Sequence, residues 1–358
     1  DELMEMAWKI THTPDERELD VLLATGEQIS ISLLSMAIKD TGHKAISLTG
    51  PQVGIYTDSV YTRARITRIR TRKLKDEIKQ GKIVIVAGFQ GINPNEDITT
   101  LGRGGSDLTA VALAAVLRAK VCEIYTDVEG VYTANPRVVP QARKIGKLCY
   151  DEMLELAGLG AQVMQARSIE VAKKFSVPLH IRSSFSLQEG TIVTKEAPMM
   201  EDVVVRGVTY DTNEVKMTIM KVPDQPGVAA KIFSRLAREH INVDMIIQSS
   251  AEGRVNDISF TLTHGDLARA LRIMNQMKKA LGARDVVYDD KVAKVSIVGV
   301  GMRSHPGIAA KMFKALADKR INIEMISTSE IKISCVIKEN EVKKAVKAIH
   351  RAFALDKK

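Results

Sequence analysis

The chain contains one stretch twice, as Pro226-Gly-Val-Ala-Ala-Lys-Ile-Phe-Ser-Arg-Leu-Ala-Arg-Glu-His-Ile-Asn-Val-Asp-Met-Ile246 and again, 80 residues later, as Pro306-Gly-Ile-Ala-Ala-Lys-Met-Phe-Lys-Ala-Leu-Ala-Asp-Lys-Arg-Ile-Asn-Ile-Glu-Met-Ile326. Of the 21 aligned positions, 12 are identical. Agreement over that length indicates a duplicated structural unit.

Each copy predicts the same order of elements. A strand leads through a Pro-Gly turn into a helix, and two strands and a second helix follow. With one closing strand, this becomes the βαββαβ order of the ferredoxin-like fold. In the first copy we expect strands at 215–222, 243–249, 257–263 and 285–288, with helices at 228–240 and 267–281.

The second copy lacks a last strand of its own. It runs from residue 293 to residue 358 and ends after a helix at Glu341–Phe353. A β-rich segment without a partner, Val203–Tyr210, stands just before the first copy. We therefore expect the second module to consist of 203–210 plus 293–358, with the first module, 214–290, inserted within it.

Residues 1–195 follow a different pattern. Short apolar runs such as Lys82–Gly88, Val121–Thr126 and Val177–Ile181 alternate with helical patterns. Buried strands that alternate with helices predict an α/β domain with a mostly parallel sheet.

The composition is that of an ordinary folded protein, with 45% hydrophobic and 27% charged residues. Aromatic residues make up only 4% of the chain, which argues against a stacking platform for single-stranded nucleic acid. The cysteines Cys122, Cys149 and Cys335 form no Cys-x-x-Cys pair, as expected for a reducing cytoplasm. No run reaches the ~18 apolar residues of a membrane span, so we expect no membrane contact.

The net charge of +9 comes largely from one segment, Arg63–Lys82. One interpretation is a patch for nucleic acid, which salt-sensitive retention on DNA would reveal. We favour a solvated strand edge and helix face, because Ile66, Ile69, Leu74 and Ile78 supply the apolar side of such a surface element.

Four polar segments of the α/β half are expected at strand or helix ends. A glycine-rich loop, Thr99-Thr-Leu-Gly-Arg-Gly-Gly-Ser-Asp-Leu-Thr109, leads into a helix, where backbone N–H groups can meet an anion. It lacks the Gly-Lys-Ser/Thr of a Walker A loop. The others are Thr25–Gln28, Thr49–Gly54 and Thr126–Arg137, and the last leaves the end of a strand, where open parallel sheets place ligands.

These features together resemble the aspartate kinase family. The resemblance lies in Ala87-Gly-Phe-Gln-Gly91, the Thr99–Asp107 loop, Thr126-Asp-Val-Glu-Gly-Val-Tyr-Thr133 and the paired Pro-Gly modules, and it covers essentially the whole chain. It implies an αβα-sandwich amino-acid-kinase fold followed by two ACT modules. The implied reaction transfers the ATP γ-phosphoryl group to the β-carboxylate of L-aspartate, giving 4-phospho-L-aspartate.

The resemblance also implies roles for particular residues. Arg103 matches a position that holds the substrate α-carboxylate, while Glu27 and Asp107 suit its ammonium or the local hydrogen-bond frame. The implied ATP-site positions are Thr126, Asp127, Tyr132 and Arg137. Mg²⁺ is expected with ATP, bound through phosphate oxygens, and no protein metal site is expected.

Two departures from the family pattern stand out. Nothing upstream of Asp1 supplies the family's first strand, with its Lys-Phe/Tyr-Gly-Gly motif, so we expect an N-terminally truncated chain of low activity. Gln162 stands where many relatives carry a nucleotide-site lysine, which puts that contact in doubt.

The repeated modules have a site of their own. Asp224-Gln-Pro-Gly227 places a carboxylate beside a helix N-terminus, a pair that suits the ammonium and carboxylate of a free amino acid. Ser304-His-Pro-Gly307 lacks the acid, so the two loops should differ in ligand binding. The further candidates for effector contacts are the amides Asn242, Gln248 and Asn322.

We expect inhibition by lysine and/or threonine, and a homodimer or higher oligomer formed through the ACT modules. The main alternative is a non-catalytic subunit that senses an amino acid. The presence of Arg103, Asp107 and Asp127 argues against it. Glutamate and uridylate kinases share the kinase fold, but paired ACT modules are not expected on them. Met199 or Met200 could serve as an internal start for a separate regulatory subunit.

Overall fold

The structure is a computed structural model that describes residues 2–157, 163–196, 204–251 and 255–357. These residues form two compact units. The first unit takes residues 2–131, 146–157 and 163–196, and the second takes 132–145 together with 204–251 and 255–357. Gln162, Met199, Met200 and Val203 lie outside the described residues.

The first unit alternates helices with short strands. Its helices are α1 (Glu2–Ile10), α2 (Glu16–Asp40), α3 (Gly50–Val53), α4 (Arg72–Lys79), α5 (Gly105–Leu117), α6 (Tyr150–Leu156) and α7 (Ala166–Phe175). Its strands are β1 (Ala45–Leu48), β2 (Ile55–Thr57), β3 (Ile66–Ile69), β4 (Ile83–Val86), β5 (Gln90–Ile92), β6 (Ile98–Thr100), β7 (Cys122–Thr126), β8 (Lys147–Cys149), β9 (Leu179–Ser183) and β10 (Thr191–Thr194).

The strands of the first unit form three sheets, with the orders β1-β4, β3-β2-β5-β6 and β7-β9-β10-β8. Parallel pairs occur in all three, but β2–β3, β5–β6 and β9–β10 pair antiparallel. The sequence predicted a mostly parallel sheet, and the structure is more mixed. The reason is the short connections between successive strands, which allow only antiparallel pairing.

Helix α2 packs on β1, β4 and β6. Its Asp20 side chain is fully buried and accepts hydrogen bonds from the backbone N–H groups of Thr62 and Thr100 and from the Thr100 hydroxyl. By length and composition alone α2 could cross a membrane, although no membrane span was expected from the sequence. A carboxylate hydrogen-bonded to neighbouring loops is, however, typical of a helix packed on its own protein.

The basic segment Arg63–Lys82 forms β3, α4 and the turn after α4. Leu74 is buried, and Ile66 and Ile69 pack on the same core, whereas Ile78 is 48% exposed. Lys82 pairs with Glu77 at 2.5 Å. An amphipathic helix with a solvated basic face accounts for these features.

The second unit is built on one antiparallel sheet of six strands, in the order β12-β13-β11-β14-β16-β15. The strands are β11 (Gly207–Pro223), β12 (Ile246–Ala251), β13 (Val255–Leu262), β14 (Asp285–Val298), β15 (Met325–Thr328) and β16 (Lys332–Lys338). The helices are α8 (Val228–Arg238), α9 (Leu267–Met277), α10 (Ile308–Ala317) and α11 (Val342–Ala352).

Two long strands join the repeated modules. The first part of β11, Gly207–Asp211, pairs with Lys294–Val298 of β14, where the second module needs its last strand. The later part of β11 pairs with β13, and Lys216–Met220 pairs with Asp285–Asp289 of β14. The first βαββαβ module is therefore inserted within the second, as predicted, while the exact domain limits stay predictions.

Each module has its own apolar core. In the first module, Phe260 and Ile219 are completely buried among the side chains of α8 and α9. In the second, Ile297 and Ile349 belong to a separate cluster between the sheet and α10 and α11. The shared sheet thus contributes to a separate core in each module.

A buried ion pair crosses the shared strands. The Lys294 ammonium contacts the Glu214 carboxylate, and both side chains are only 5% exposed. Asp244 lies 2.5 Å from the same ammonium. Burial alone would lower the pKa of Lys294, but the two carboxylates outweigh it and raise that pKa. Lys294 therefore stays charged because its partners are in place.

We predict that Lys294→Met destabilises the second unit by about 3–5 kcal/mol, because the Glu214 carboxylate would remain buried without its cation. Denaturant unfolding of the chain measures the change. Lys314→Met is the control, since its exposed pair with Asp318 at 3.0 Å should contribute less than about 1 kcal/mol. Equal effects of the two substitutions would contradict the prediction.

Candidate active site

The glycine-rich loop reaches α5 through left-handed backbone. Gly102 has φ 78° and Gly104, the residue before the helix, has φ 68°. A Cβ atom on Gly104 would lie 2.7 Å from the Cβ of Gln165. Glycine is therefore required at residue 104 both by the backbone conformation and by the close approach of a neighbouring segment.

The loop between β4 and β5 packs against this helix start. Phe89 has φ 66°, a conformation that costs a non-glycine residue about 1–3 kcal/mol. Its backbone is held at both ends, because its N–H donates to the Thr109 hydroxyl at 3.1 Å and its carbonyl accepts from Leu101 N–H at 2.8 Å. Strain held in this way is a frequent feature of functional sites.

Two carboxylates from different helices adjoin the loop, and Glu27 lies in the middle of α2 rather than at a helix end as expected. Burial raises the pKa of Glu27 on α2, although a hydrogen bond from the Ser106 hydroxyl acts in the opposite direction. Burial also raises the pKa of Asp107 on α5, against a hydrogen bond from the backbone N–H of Gln165. No cation contributes to either shift, so a bound cation would stabilise both carboxylates.

Arg103 lies in the turn between the two positive-φ glycines and is exposed. None of the hydrogen bonds or ion pairs found in the described part of the chain uses its guanidinium. The loop itself is fixed by Arg167, which donates to the carbonyls of Ala64 at 2.7 Å and Leu101 at 3.2 Å. Arg103 is thus a free cation on a fixed loop.

The four predicted ATP-site residues are divided between the units. Thr126 and Asp127 lie in the first unit, at the carboxyl end of β7, which pairs parallel with β9. The Thr126 hydroxyl donates to Asp127 at 3.1 Å. Tyr132 and Arg137 belong to the second unit, in which the Asn135 side chain accepts the Arg137 N–H at 2.9 Å.

Sequence reasoning missed three residues of the site. Gln165 supports Gly104 and Asp107, Ser106 contacts Glu27, and Phe89 carries the strained backbone. The side-chain oxygens of Gln165 and Gln90 are buried without a hydrogen-bond partner in the described structure. Ser106 is part of the quoted loop and could have been found, whereas only the fold brings Gln165 to it.

No metal-binding group was expected from the protein alone. Among residues 2–157, 163–196, 204–251 and 255–357, no three His, Cys, Asp or Glu side chains are grouped to hold a metal ion.

The two Pro-Gly loops of the second unit have the same backbone form. Gly227 and Gly307 both have φ 91° and precede α8 and α10, and a Cβ on either would meet no atom within 4 Å. In the first loop the Asn256 amide donates to the Asp224 carboxylate at 2.9 Å. Ser304 occupies the corresponding place in the second loop, and its side chain is not described.

The remaining effector candidates are exposed. Asn242 and Asn322 occupy equivalent positions just before β12 and β15, and Gln248 lies on β12 itself. β12 and β15 are the two edge strands of the sheet. The structure therefore places these amides at opposite edges of the second unit.

Comparison with known families divides the chain into one kinase region and two repeated domains. Residues 1–183 match the amino acid kinase family, and residues 216–282 and 295–353 each match an ACT domain. The fold class therefore agrees with the prediction made from the repeat and the loops.

Full-length relatives give a finer assignment. An aspartate kinase of Pseudomonas putida is 50% identical over 355 residues, which cover 99% of this chain and 86% of that protein. Aspartokinase 2 of Bacillus subtilis is 50% identical over 357 residues, covering 100% and 87%. The structure of Escherichia coli aspartokinase III with aspartate and ADP matches with a TM-score of 0.83 at 25% identity, covering 98% of this chain and 79% of that one.

The fold and the loop define an amino acid kinase joined to ACT regulatory domains. Within that class, the chain belongs to the aspartate kinases. The predictions of a phosphotransferase and of its family are thereby confirmed.

We predict that Gly104→Ala destabilises the first unit by about 1–3 kcal/mol more than Gly81→Ala. Both glycines have positive φ, but a Cβ on Gly81 meets no atom within 4 Å, whereas one on Gly104 meets Gln165. Thermal unfolding and the KM for aspartate should be measured for both variants. Similar losses in the two would show that the approach of Gln165 does not constrain the loop.

Proposed function

We propose that the chain phosphorylates L-aspartate at a site formed by Glu27, Arg103 and Asp107. The most direct support is the charge arrangement. Among the described residues, the half-buried carboxylates of Glu27 and Asp107 have no cationic partner, and the exposed guanidinium of Arg103 has no anionic partner. A zwitterionic amino acid supplies both missing charges. Arg103 would take the α-carboxylate through a bidentate fork, and Glu27 and Asp107 would take the ammonium.

The β-carboxylate of aspartate then remains free to act as the acceptor. One of its oxygens attacks the γ-phosphorus of ATP, the bond to the β,γ-bridging oxygen breaks, and ADP leaves. This chemistry needs positioning and charge neutralisation more than covalent help from the protein. The fixed Gly102–Gly105 backbone and the N-terminus of α5 provide such a rigid frame.

ATP is proposed to bind through Thr126, Asp127, Tyr132 and Arg137. Thr126 and Asp127 leave the carboxyl end of a parallel strand, a usual place for nucleotide contacts. Arg137 is exposed and can meet phosphate oxygens. Mg²⁺ suits this set, since it binds mainly through phosphate oxygens and needs few protein carboxylates, of which Asp127 is one candidate. When bound, Mg²⁺ would neutralise phosphate charge.

The activity is tested by an assay that couples ADP release to NADH oxidation. ADP formation that requires both ATP and L-aspartate supports the proposal. ATP turnover that does not respond to L-aspartate would contradict it.

Arg103→Lys should raise the KM for aspartate roughly tenfold or more, because lysine keeps the charge but loses the planar fork. The KM for ATP should change little. Arg72→Lys, whose side chain is 96% exposed on α4, serves as the matched control. Unaltered aspartate saturation in Arg103→Lys would remove Arg103 from the substrate site.

We also propose that the ACT modules bind lysine and/or threonine at the two Pro-Gly loops. Asp224 is oriented by Asn256 beside the start of α8, so it can accept a hydrogen bond from an amino-acid ammonium. Gly227, Asn242 and Gln248 would complete that site, with Ser304, Gly307 and Asn322 in the second. The enzyme is proposed to be cytoplasmic and to form a homodimer or higher oligomer through these modules.

Asp224→Ala should weaken amino-acid inhibition by roughly tenfold while leaving uninhibited turnover nearly intact, because it removes a charge-assisted hydrogen bond. Inhibition curves for lysine, threonine and their mixture measure this effect. Asp318→Ala, which removes an exposed carboxylate next to α10, should leave the curves unchanged. Superimposable curves for Asp224→Ala and wild type would exclude Asp224 from effector binding.

A further inference from the structure

A segment from the middle of the kinase sequence belongs to the second unit. Residues 132–145, here called the anchor segment, group with the ACT modules and not with the strands on either side of them in sequence. Ala134, Val138 and Val139 are buried in the apolar core of the second ACT module. The segment is therefore an integral part of that module's packing.

Polar contacts fix the anchor segment along its length. Val208 of β11 donates its N–H to the Thr133 carbonyl at 2.8 Å. Asn135 donates to the Tyr210 hydroxyl at 3.3 Å, and the Arg143 guanidinium donates to the Leu355 carbonyl at 3.0 Å. The segment is thus tied both to the shared sheet and to the residues that follow α11.

The most buried of these contacts joins Thr133 to His350 of α11. The Thr133 hydroxyl and His350 Nε2 are 3.0 Å apart, and the two residues are 5% and 2% exposed. The same hydroxyl accepts the backbone N–H of Arg143 at 3.0 Å. It can still donate its own proton to Nε2 of a neutral His350.

The electrostatics favour this arrangement. Burial lowers the pKa of His350, with Asp356 opposing and Arg143 acting in the same direction. A neutral imidazole can accept a hydrogen bond at Nε2, whereas an imidazolium cannot. Because both partners are buried, loss of either would leave a polar group unsatisfied.

The repeat provides an internal comparison. Helices α9 and α11 have 11 residues each, and each follows a short 3₁₀ turn, so the ninth residues, Asn275 and His350, are equivalent. Asn275 is exposed, whereas His350 is buried against the anchor segment. The buried polar contact is therefore a feature of the second module and not of the repeat itself.

We propose that His350 is a positioning residue for nucleotide binding, which through Thr133 holds the anchor segment where Tyr132 and Arg137 can meet ATP. The inference rests on the nucleotide roles proposed above for those two residues. Tyr132 immediately precedes Thr133 and pairs with Lys144 across the segment. A displacement of α11 would thereby change the positions of Tyr132 and Arg137, although α11 itself would not touch the nucleotide.

Anchoring is tested independently of catalysis by hydrogen exchange. Thr133→Val replaces the hydroxyl with a methyl group of the same size and should speed amide exchange in residues 132–145 roughly fivefold to tenfold. Thr133→Ser restores the hydroxyl and should keep the wild-type rates. Asn275→Ala, at the equivalent position of the first module, is the matched control. Unchanged exchange in Thr133→Val would overturn the anchoring.

Positioning is tested by steady-state kinetics. Thr133→Val and His350→Ala should raise the KM for ATP roughly fivefold to tenfold, with kcat and the KM for aspartate within about twofold of wild type. His350→Gln, which keeps a hydrogen-bonding group near Nε2, should recover part of the loss. Equal changes in both KM values, or the same change in Asn275→Ala, would contradict a positioning role.

The two proposals fail in different ways. A wild-type enzyme without aspartate-dependent ATP turnover contradicts the proposed function, while the exchange experiment still decides whether His350 holds the segment. Normal wild-type kinetics together with an unaltered KM for ATP in Thr133→Val and His350→Ala contradicts the positioning role alone.

Discussion

The pairing of β11 with β14 is the constraint on which the second unit depends. Each strand serves both modules, so a slip of one residue between them would turn the inward side chains of two cores outward. The register shifts at Glu214, and there the Glu214 carboxylate meets Lys294. In a slipped register Glu214 and Lys294 would no longer face each other, and the ion pair therefore favours one alignment.

The elements of the repeated modules could be predicted closely from the sequence, because the same pattern of apolar and turn residues occurs twice and each copy supports the assignment of the other. The expected helix at 228–240 corresponds to Val228–Arg238, and the missing last strand was correctly supplied by the segment before the first copy. The kinase half was less predictable. Its strands are three to five residues long, and periodicity over so few residues does not reveal whether neighbours run parallel or antiparallel.

The site shows a similar division. The glycine-rich loop with Arg103 and Asp107 can be recognised in the local sequence as a candidate site for an anion, whereas the roles expected of its residues, and of Glu27 on α2, came from the resemblance to a family. Gln165 and the conformation of Phe89 cannot be recognised in this way, since they depend on segments that only the fold brings together. The anchor segment was assigned to the kinase domain by its position in the chain, and its packing partners lie as far away in sequence as His350.

The inserted arrangement has a consequence for synthesis on the ribosome. Gly207 pairs with Val298, so the strand Gly207–Asp211 emerges roughly ninety residues before its partner exists. At typical elongation rates of about 5–20 residues per second, that edge stays unpaired for roughly 5–20 s, while the whole of the inserted module is being made. The inserted module is contiguous and can close as soon as its own residues have left the exit tunnel. Translation therefore imposes an order of assembly on the two repeated modules. The inserted first module can fold first, and the second module completes its sheet last.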